Sequence, residues 1–176
     1  MQELRPNLGN LRLYEIVCVV WIAEAIYGEL NPQIFEKILY GNFDPSKEDY
    51  LKLRSFLESK RPSELTKKFE DLGQYASKFT IKDCYRFFVS PSDFHKIALK
   101  TIHDKVEVNL NIIKEALESQ GYKFWRFAWL RILNLLKMGE LYKKAGERSY
   151  HLKAYPEKME IFWPFLADEN YVLPKK

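Results

Sequence analysis

The side chains with the clearest chemistry in this chain lie near its carboxyl end, and they are cations. Residues 121–155 carry Lys123, Arg126, Arg131, Lys137, Lys143, Lys144, Arg148 and Lys153 against only Glu140 and Glu147, a net of +6. Residues 1–120 hold 17 basic and 18 acidic side chains, a net of −1. The formal charge of +4 over 176 residues therefore comes from one short stretch. A cationic surface of this kind suits a polyanion. Ammonium and guanidinium groups on phosphate oxygens hold position and carry affinity, whereas contacts to base edges carry sequence information. Arg126, Arg131 and Asn134 are the candidates for base edges. Lys123, Lys143, Lys144, Arg148 and Lys153 are the candidates for phosphates.

Other chemistry is thinly represented. His103 and Glu107 stand four residues apart, with Asp93, His95 and Asp104 nearby, which is the start of a carboxylate–imidazole metal site. A complete site needs three or four ligands and supporting partners, so these residues read as a solvated helix face. Arg148 and His151 suggest a nuclease pair, but their place in an alternating segment favours a surface or phosphate role. The sequence contains no Walker loop, Gly-x-Gly-x-x-Gly, Gly-x-Ser-x-Gly or His-Glu-x-x-His. Cys18 and Cys84 lie far apart, and Cys18 sits in the apolar run Ile16–Val20. They read as buried free thiols in a reducing compartment. No catalytic residue, metal or cofactor is expected, and the chain does not read as an enzyme.

The elements that must position the cations follow from periodicity and caps. About half of the residues are apolar and 15% are aromatic, enough for a substantial core. Leu11 to Tyr27 reads as a helix that is apolar nearly all round. Its greasy part, Leu11 to Ile26, contains Arg12, Glu15 and Glu24 and falls short of the roughly 20 apolar residues of a membrane span. With no signal-peptide pattern before it, a cytoplasmic protein without membrane contact is expected. Asn31-Pro32 starts a helix to about Leu39, and Ser46 caps one from Lys47 to Ser59 with Asp49 completing a capping box. Ser63 is expected to cap Glu64 to about Leu72. Ile81 to Phe88 reads as a helix, although its aromatics would also suit a strand. Ser90-Pro91-Ser92 marks a boundary, with a helix from Asp93 to about His103 behind it. Another runs from about Asn109 to Gly121, then Phe124 to Met138 with Phe127, Leu130, Leu133 and Leu136 at helical spacing. Gly139 is expected to end that helix.

Helix, turn, helix and an alternating ribbon is the layout of a winged helix-turn-helix. Ala128-Trp129-Leu130-Arg131-Ile132-Leu133-Asn134-Leu135-Leu136, followed by Gly139-Glu140-Leu141, resembles the recognition helix and first wing strand of winged-helix regulators of the ferric-uptake-regulator type. The likeness covers about 45 residues within 93–153. It implies a wing tip at Ala145-Gly146-Glu147 and a return strand from Ser149 to Lys153. His95, His103 and His151 are too few for the metal clusters of that family, so metal sensing is not implied. A fainter likeness lies in Ile38–Ser46 followed by Tyr50-Leu51-Lys52-Leu53, which resembles the last turn of phage-repressor-type helix-turn-helix domains.

Together these readings predict a mainly α protein: a helical N-terminal half (1–90), a winged helix-turn-helix with a two-stranded β wing (91–155), and an aromatic tail (156–176) packed on the core. The predicted partner is double-stranded DNA, with the chain acting as a transcriptional regulator or an accessory factor of DNA metabolism. Two apolar surfaces outside the wing, the first helix and the tail, suggest a homodimer, and the tail could also receive a protein partner. The competing reading is a winged helix used for docking in a larger complex, without nucleic acid. Burial of Trp125 and Trp129 with the cations outward favours the first reading, and a sticky exposed tryptophan patch favours the second.

Overall fold

Local capping chemistry sets most of the helix boundaries in the computed structural model, which describes residues 13–67, 69, 81–124 and 129–172. The chain divides between Val89 and Ser90 into two compact units. In the first unit, α1 (Leu13–Ile22) runs on as a π-helical turn (Ala23–Tyr27) that stops at Gly28, where φ is 76°. Val17 through Ala23 are all buried, as the unbroken apolar run requires. α2 (Pro32–Tyr40) starts where Asn31 accepts the Ile34 N–H at 2.9 Å. α3 (Lys47–Ser59) opens with a reciprocal box: Asp49 N–H donates to Ser46 Oγ, and Ser46 N–H to the Asp49 carboxylate.

α4 (Pro62–Thr66) departs from expectation. Pro62 occupies its first turn and Arg61, not Ser63, stands at the cap without a side-chain bond. Proline's fixed φ is already helical, so the helix begins before the serine. Its expected continuation to Leu72 falls largely outside the described residues. α5 (Ile81–Val89) is a helix and not a strand, with Cys84, Tyr85, Phe87 and Phe88 buried at helical spacing. Its C-terminal end leaves orphan carbonyls, and the buried Arg54 of α3 supplies their partner. The Arg54 guanidinium donates to Phe88 O and, at 3.4 Å, to Val89 O, while its Nε meets Glu58. The helix-turn-helix likeness of α2 and α3 gains no basic surface: α3 exposes Lys47, Glu48, Leu51, Lys52, Ser55, Glu58 and Ser59, a mixed set. Cys18 and Cys84 are both buried, and burial pushes the Cys18 thiol up.

The second unit runs α6 (Asp93–Lys105), β1 (Glu107–Asn109), α7 (Leu110–Ser119), α8 (Trp129–Leu135), β2 (Gly139–Lys143), β3 (Tyr150–Ala154) and α9 (Pro156–Phe162), then a 3-10 turn at Pro164–Leu166. Ser92 and Asn109 cap α6 and α7 through bonds from the N–H groups of His95 and Ile112. α7 ends in a left-handed cap at Gly121 (φ 85°), with Gly121 N–H on Glu118 O and Tyr122 N–H on Leu117 O, both 3.0 Å. The sheet is antiparallel in the order β1-β3-β2. The predicted two-stranded wing is therefore a three-stranded sheet. β1 has only three residues between two helices, too few to show a period in the sequence.

Gly139 also has a different role from the one expected. The same 6→1 and 5→2 bonds end α8 two residues earlier, from Met138 N–H to Leu133 O and Lys137 N–H to Asn134 O, with Lys137 itself left-handed (φ 59°). Gly139 instead opens β2, where a Cβ would stand 3.0 Å from Leu152 Cδ1 and from Lys153 O. The aromatic tail contributes Met159, Phe162, Trp163 and Leu166 to the core of its own unit. The first helix is similarly enclosed, so the two apolar surfaces that suggested a dimer are occupied within the chain itself. No helix among the described residues is long and apolar enough to cross a membrane.

Gly139→Ala should destabilise the second unit by about 1–3 kcal/mol, because the β3 backbone has to yield to the added methyl. Urea unfolding followed by tryptophan fluorescence would read this, and an unchanged midpoint would show that the close approach is relaxed at no cost. Arg54→Met should cost the first unit about 1–3 kcal/mol by stranding the buried carbonyls of Phe88 and Val89, measured in the same way.

Candidate nucleic-acid interface

Side chains alternate across a strand, so burying one residue of β3 assigns a face to all the others. Leu152 and Ala154 are buried, as are Val108 and Gly139 beside them in β1 and β2. Tyr150 and its partner Lys143 share that parity and lie on the helix side of the sheet, beyond the core. Lys153 has the opposite parity. Its direct neighbours are Glu107 in β1 and Glu140 in β2, so it stands between two carboxylates on the outer face. Glu140 also accepts a 3.4 Å bond from the Tyr155 hydroxyl, whose pKa is raised by burial and then by that carboxylate. The outer face near Lys153 is thus acidic on balance.

The wing tip is a tight turn over Lys144-Ala145-Gly146-Glu147. Glu147 N–H bonds to Lys144 O at 3.1 Å, and Gly146 at the third position has φ 81°, which only glycine adopts without strain. Lys143, Lys144 and Arg148 are exposed around this turn. The Lys143 ammonium lies 4.6 Å from the Tyr150 ring centroid, a cation–π contact. On the opposite face, Tyr142 stacks on His151 with centroids 5.5 Å apart, and His151 Nε2 meets the Glu147 carboxylate at 2.5 Å. His151 is buried by these contacts, which gives it a bracing role in the wing and leaves no nuclease-like pairing with Arg148.

α8 packs against the helix side of β2 and β3. Trp129 is fully buried, edge-on to Phe94 at 6.1 Å and stacked under His95 at 4.8 Å. Leu130, Ile132, Leu133 and Leu135 are also buried, so Arg131 is the exposed side chain of the helix Trp129–Leu135. Asn134 serves the fold. Its Oδ1 accepts the Leu141 N–H at 3.0 Å and ties the helix to the middle residue pair of the hairpin. Lys123 is exposed in the connection after α7. Arg126 and Trp125 lie outside the described residues.

The register therefore puts Lys143 on the helix side of the sheet and Lys153 on the other face, while Lys144 and Arg148 are exposed around the turn and Arg131 is exposed on the helix that packs against β2 and β3. Tyr150 belongs with Lys143, although it carries no charge to mark it in the sequence. Its signal lies in the even spacing of Tyr150, Leu152 and Ala154. The alternative metal cluster does not assemble: His103 Nδ1 meets Asp104 and its Nε2 meets Glu160 at 2.7 Å, tying α6 to α9. Among the described residues, no group of three or more His, Cys, Asp and Glu side chains could hold a metal ion. Comparisons with protein-family models, curated proteins and solved structures give no match, and the functional reading stands on charge and geometry.

Lys153→Glu should lower stability by about 1 kcal/mol by lining up three carboxylates across the sheet. Lys153→Gln should change affinity for any polyanion less than Lys143→Gln does. Denaturation midpoints and heparin-column elution salt would check both statements. Later elution of the Lys143 variant than of the Lys153 variant would reverse the assignment of faces.

Proposed function

We propose that the second unit binds double-stranded DNA, with α8 presented to the major groove and the hairpin between β2 and β3 reaching the neighbouring phosphates, in the service of transcriptional regulation or DNA metabolism. The observation that carries this reading is the segregation of charge across β3. Lys143 lies on the helix side, with Lys144 and Arg148 exposed around the tip, whereas the acidic partners Glu107 and Glu140 sit with Lys153 on the outer face. A B-form major groove of about 12 Å admits a single helix, and a flanking wing suits the phosphate backbone. Arg131 is the base-edge candidate on the helix, because a guanidinium can bond the O6 and N7 of guanine together. The burial of Trp129 agrees with this reading, since the tryptophan faces the core and Arg131 faces outward.

The docking alternative has an observation of its own. Between α6 and α7 lies an open groove of about 400 Å³ lined by Ile97, Ala116 and Phe165, with Lys96 and Lys100 at its rim. The described part of α8 offers only one exposed side chain, fewer than a reader helix commonly uses.

Binding to a generic duplex should weaken steeply as salt rises. Replacing Lys143, Lys144 and Arg148 together with Gln should flatten the plot of log K against log salt by about 0.9 for each phosphate no longer neutralised. Arg131→Ala should reduce discrimination between sequences more than it changes the salt slope. Fluorescence anisotropy measures both. Absence of binding at about 50 mM salt, where phosphate contacts are strong, would leave docking as the function.

A further inference from the structure

Tyr150 stands among the cations of the hairpin without a charge of its own, and it is placed where a ligand would meet it. Among the described residues of the second unit it is the one aromatic side chain that is exposed, at 39%. The other described rings there are buried or half-buried, including Trp129, Phe162 and Trp163. Parity puts Tyr150 on the helix side of the sheet, level with Lys143 and one residue pair beyond Leu141 and Leu152 on that face. Lys143 lies over its ring at 4.6 Å, and Arg148 and Lys144 stand within the same hairpin. A flat apolar ring among cations is the pairing that holds unpaired nucleotides: the charges follow the backbone while the ring stacks on a base.

A stacked duplex cannot use such a ring. Its base faces are covered by their neighbours, and its minor groove is only about 6 Å wide, so a ring face meets a base face only where stacking is interrupted. We infer that Tyr150 is a stacking platform for an unpaired base, which takes the place of the flexible Lys143 ammonium over the ring, and that the preferred ligand is a duplex continuing into a single strand. This rests on the proposed duplex binding and narrows it from any duplex to a junction.

The test uses the full chain and three probes: a blunt duplex, the same duplex with a single-stranded extension, and the extension strand alone. A fluorescent purine analogue is placed at the first unpaired position. The tailed duplex should bind at least about fivefold more tightly than the blunt one, the effect of one stacked base, and the analogue should be quenched on binding. Tyr150→Ala should bring the tailed-duplex affinity down to that for the blunt duplex and abolish the quenching. Tyr150→Phe should retain both the preference and the quenching, which separates stacking from damage to the hairpin. Equal affinity for blunt and tailed duplexes, or a preference that survives Tyr150→Ala, would overturn the platform and leave duplex binding standing. Tyr150-dependent quenching on tailed or single strands without blunt-duplex affinity would keep the platform and remove the duplex reading. Failure of all three probes to bind would remove both.

Discussion

One constraint organises the second unit: β3 is the central strand, and Leu152 at its middle is fully buried. With that side chain fixed in the core, the two-residue period of a strand leaves no freedom for the rest. Ala154 has to be small and inward, Tyr150 has to project along the same side past the core, and Lys153 has to face away. A slip of one residue would exchange every one of these positions. The cations of the hairpin are therefore sorted by the packing of an aliphatic residue, not by their mutual repulsion. The same constraint explains Gly139, since the strand beside Leu152 comes too close for a side chain there.

The joint between α8 and β2 shows how the helix is held against the sheet. Leu133 and Asn134 accept the backbone bonds that turn the chain, and the Asn134 side chain then reaches forward to the Leu141 N–H. The carbonyls left over at the helix end and a strand N–H are thus satisfied within a few residues, as a half-buried turn requires. Lys137 adopts the left-handed conformation usually taken by glycine. Such a position costs about 1–2 kcal/mol for a residue with a Cβ and persists because the bonds on either side determine it.

Much of this architecture is legible in the residues. Ser46 with Asp49, Asn31 with Pro32, Ser92, Asn109 and Gly121 each carry capping chemistry that depends only on near neighbours, and the helices begin or end accordingly. The paired strands of the hairpin are visible from alternation around Leu152. What cannot be read there depends on distant partners. β1 is too short for a periodic signal and is a strand because β3 lies beside it. Asn134 resembles a base-edge residue because nothing in its neighbourhood in sequence shows that Leu141 needs an acceptor. Lys153 is equivalent to Lys143 until the register places Glu107 and Glu140 on either side of it. The candidate site is recognisable as a charged stretch, but its division into faces belongs to tertiary pairing.

The two cysteines have a practical consequence. Both lie in the first unit, both are buried, and burial disfavours the thiolate of Cys18, the form that reacts with electrophiles. An alkylating reagent meets these sulfurs only when the helices around them open, and the second unit contains no cysteine at all. The rate of thiol modification is thus an intrinsic clock for breathing of the N-terminal half. It runs without an added label and reads the first unit, where both sulfurs lie.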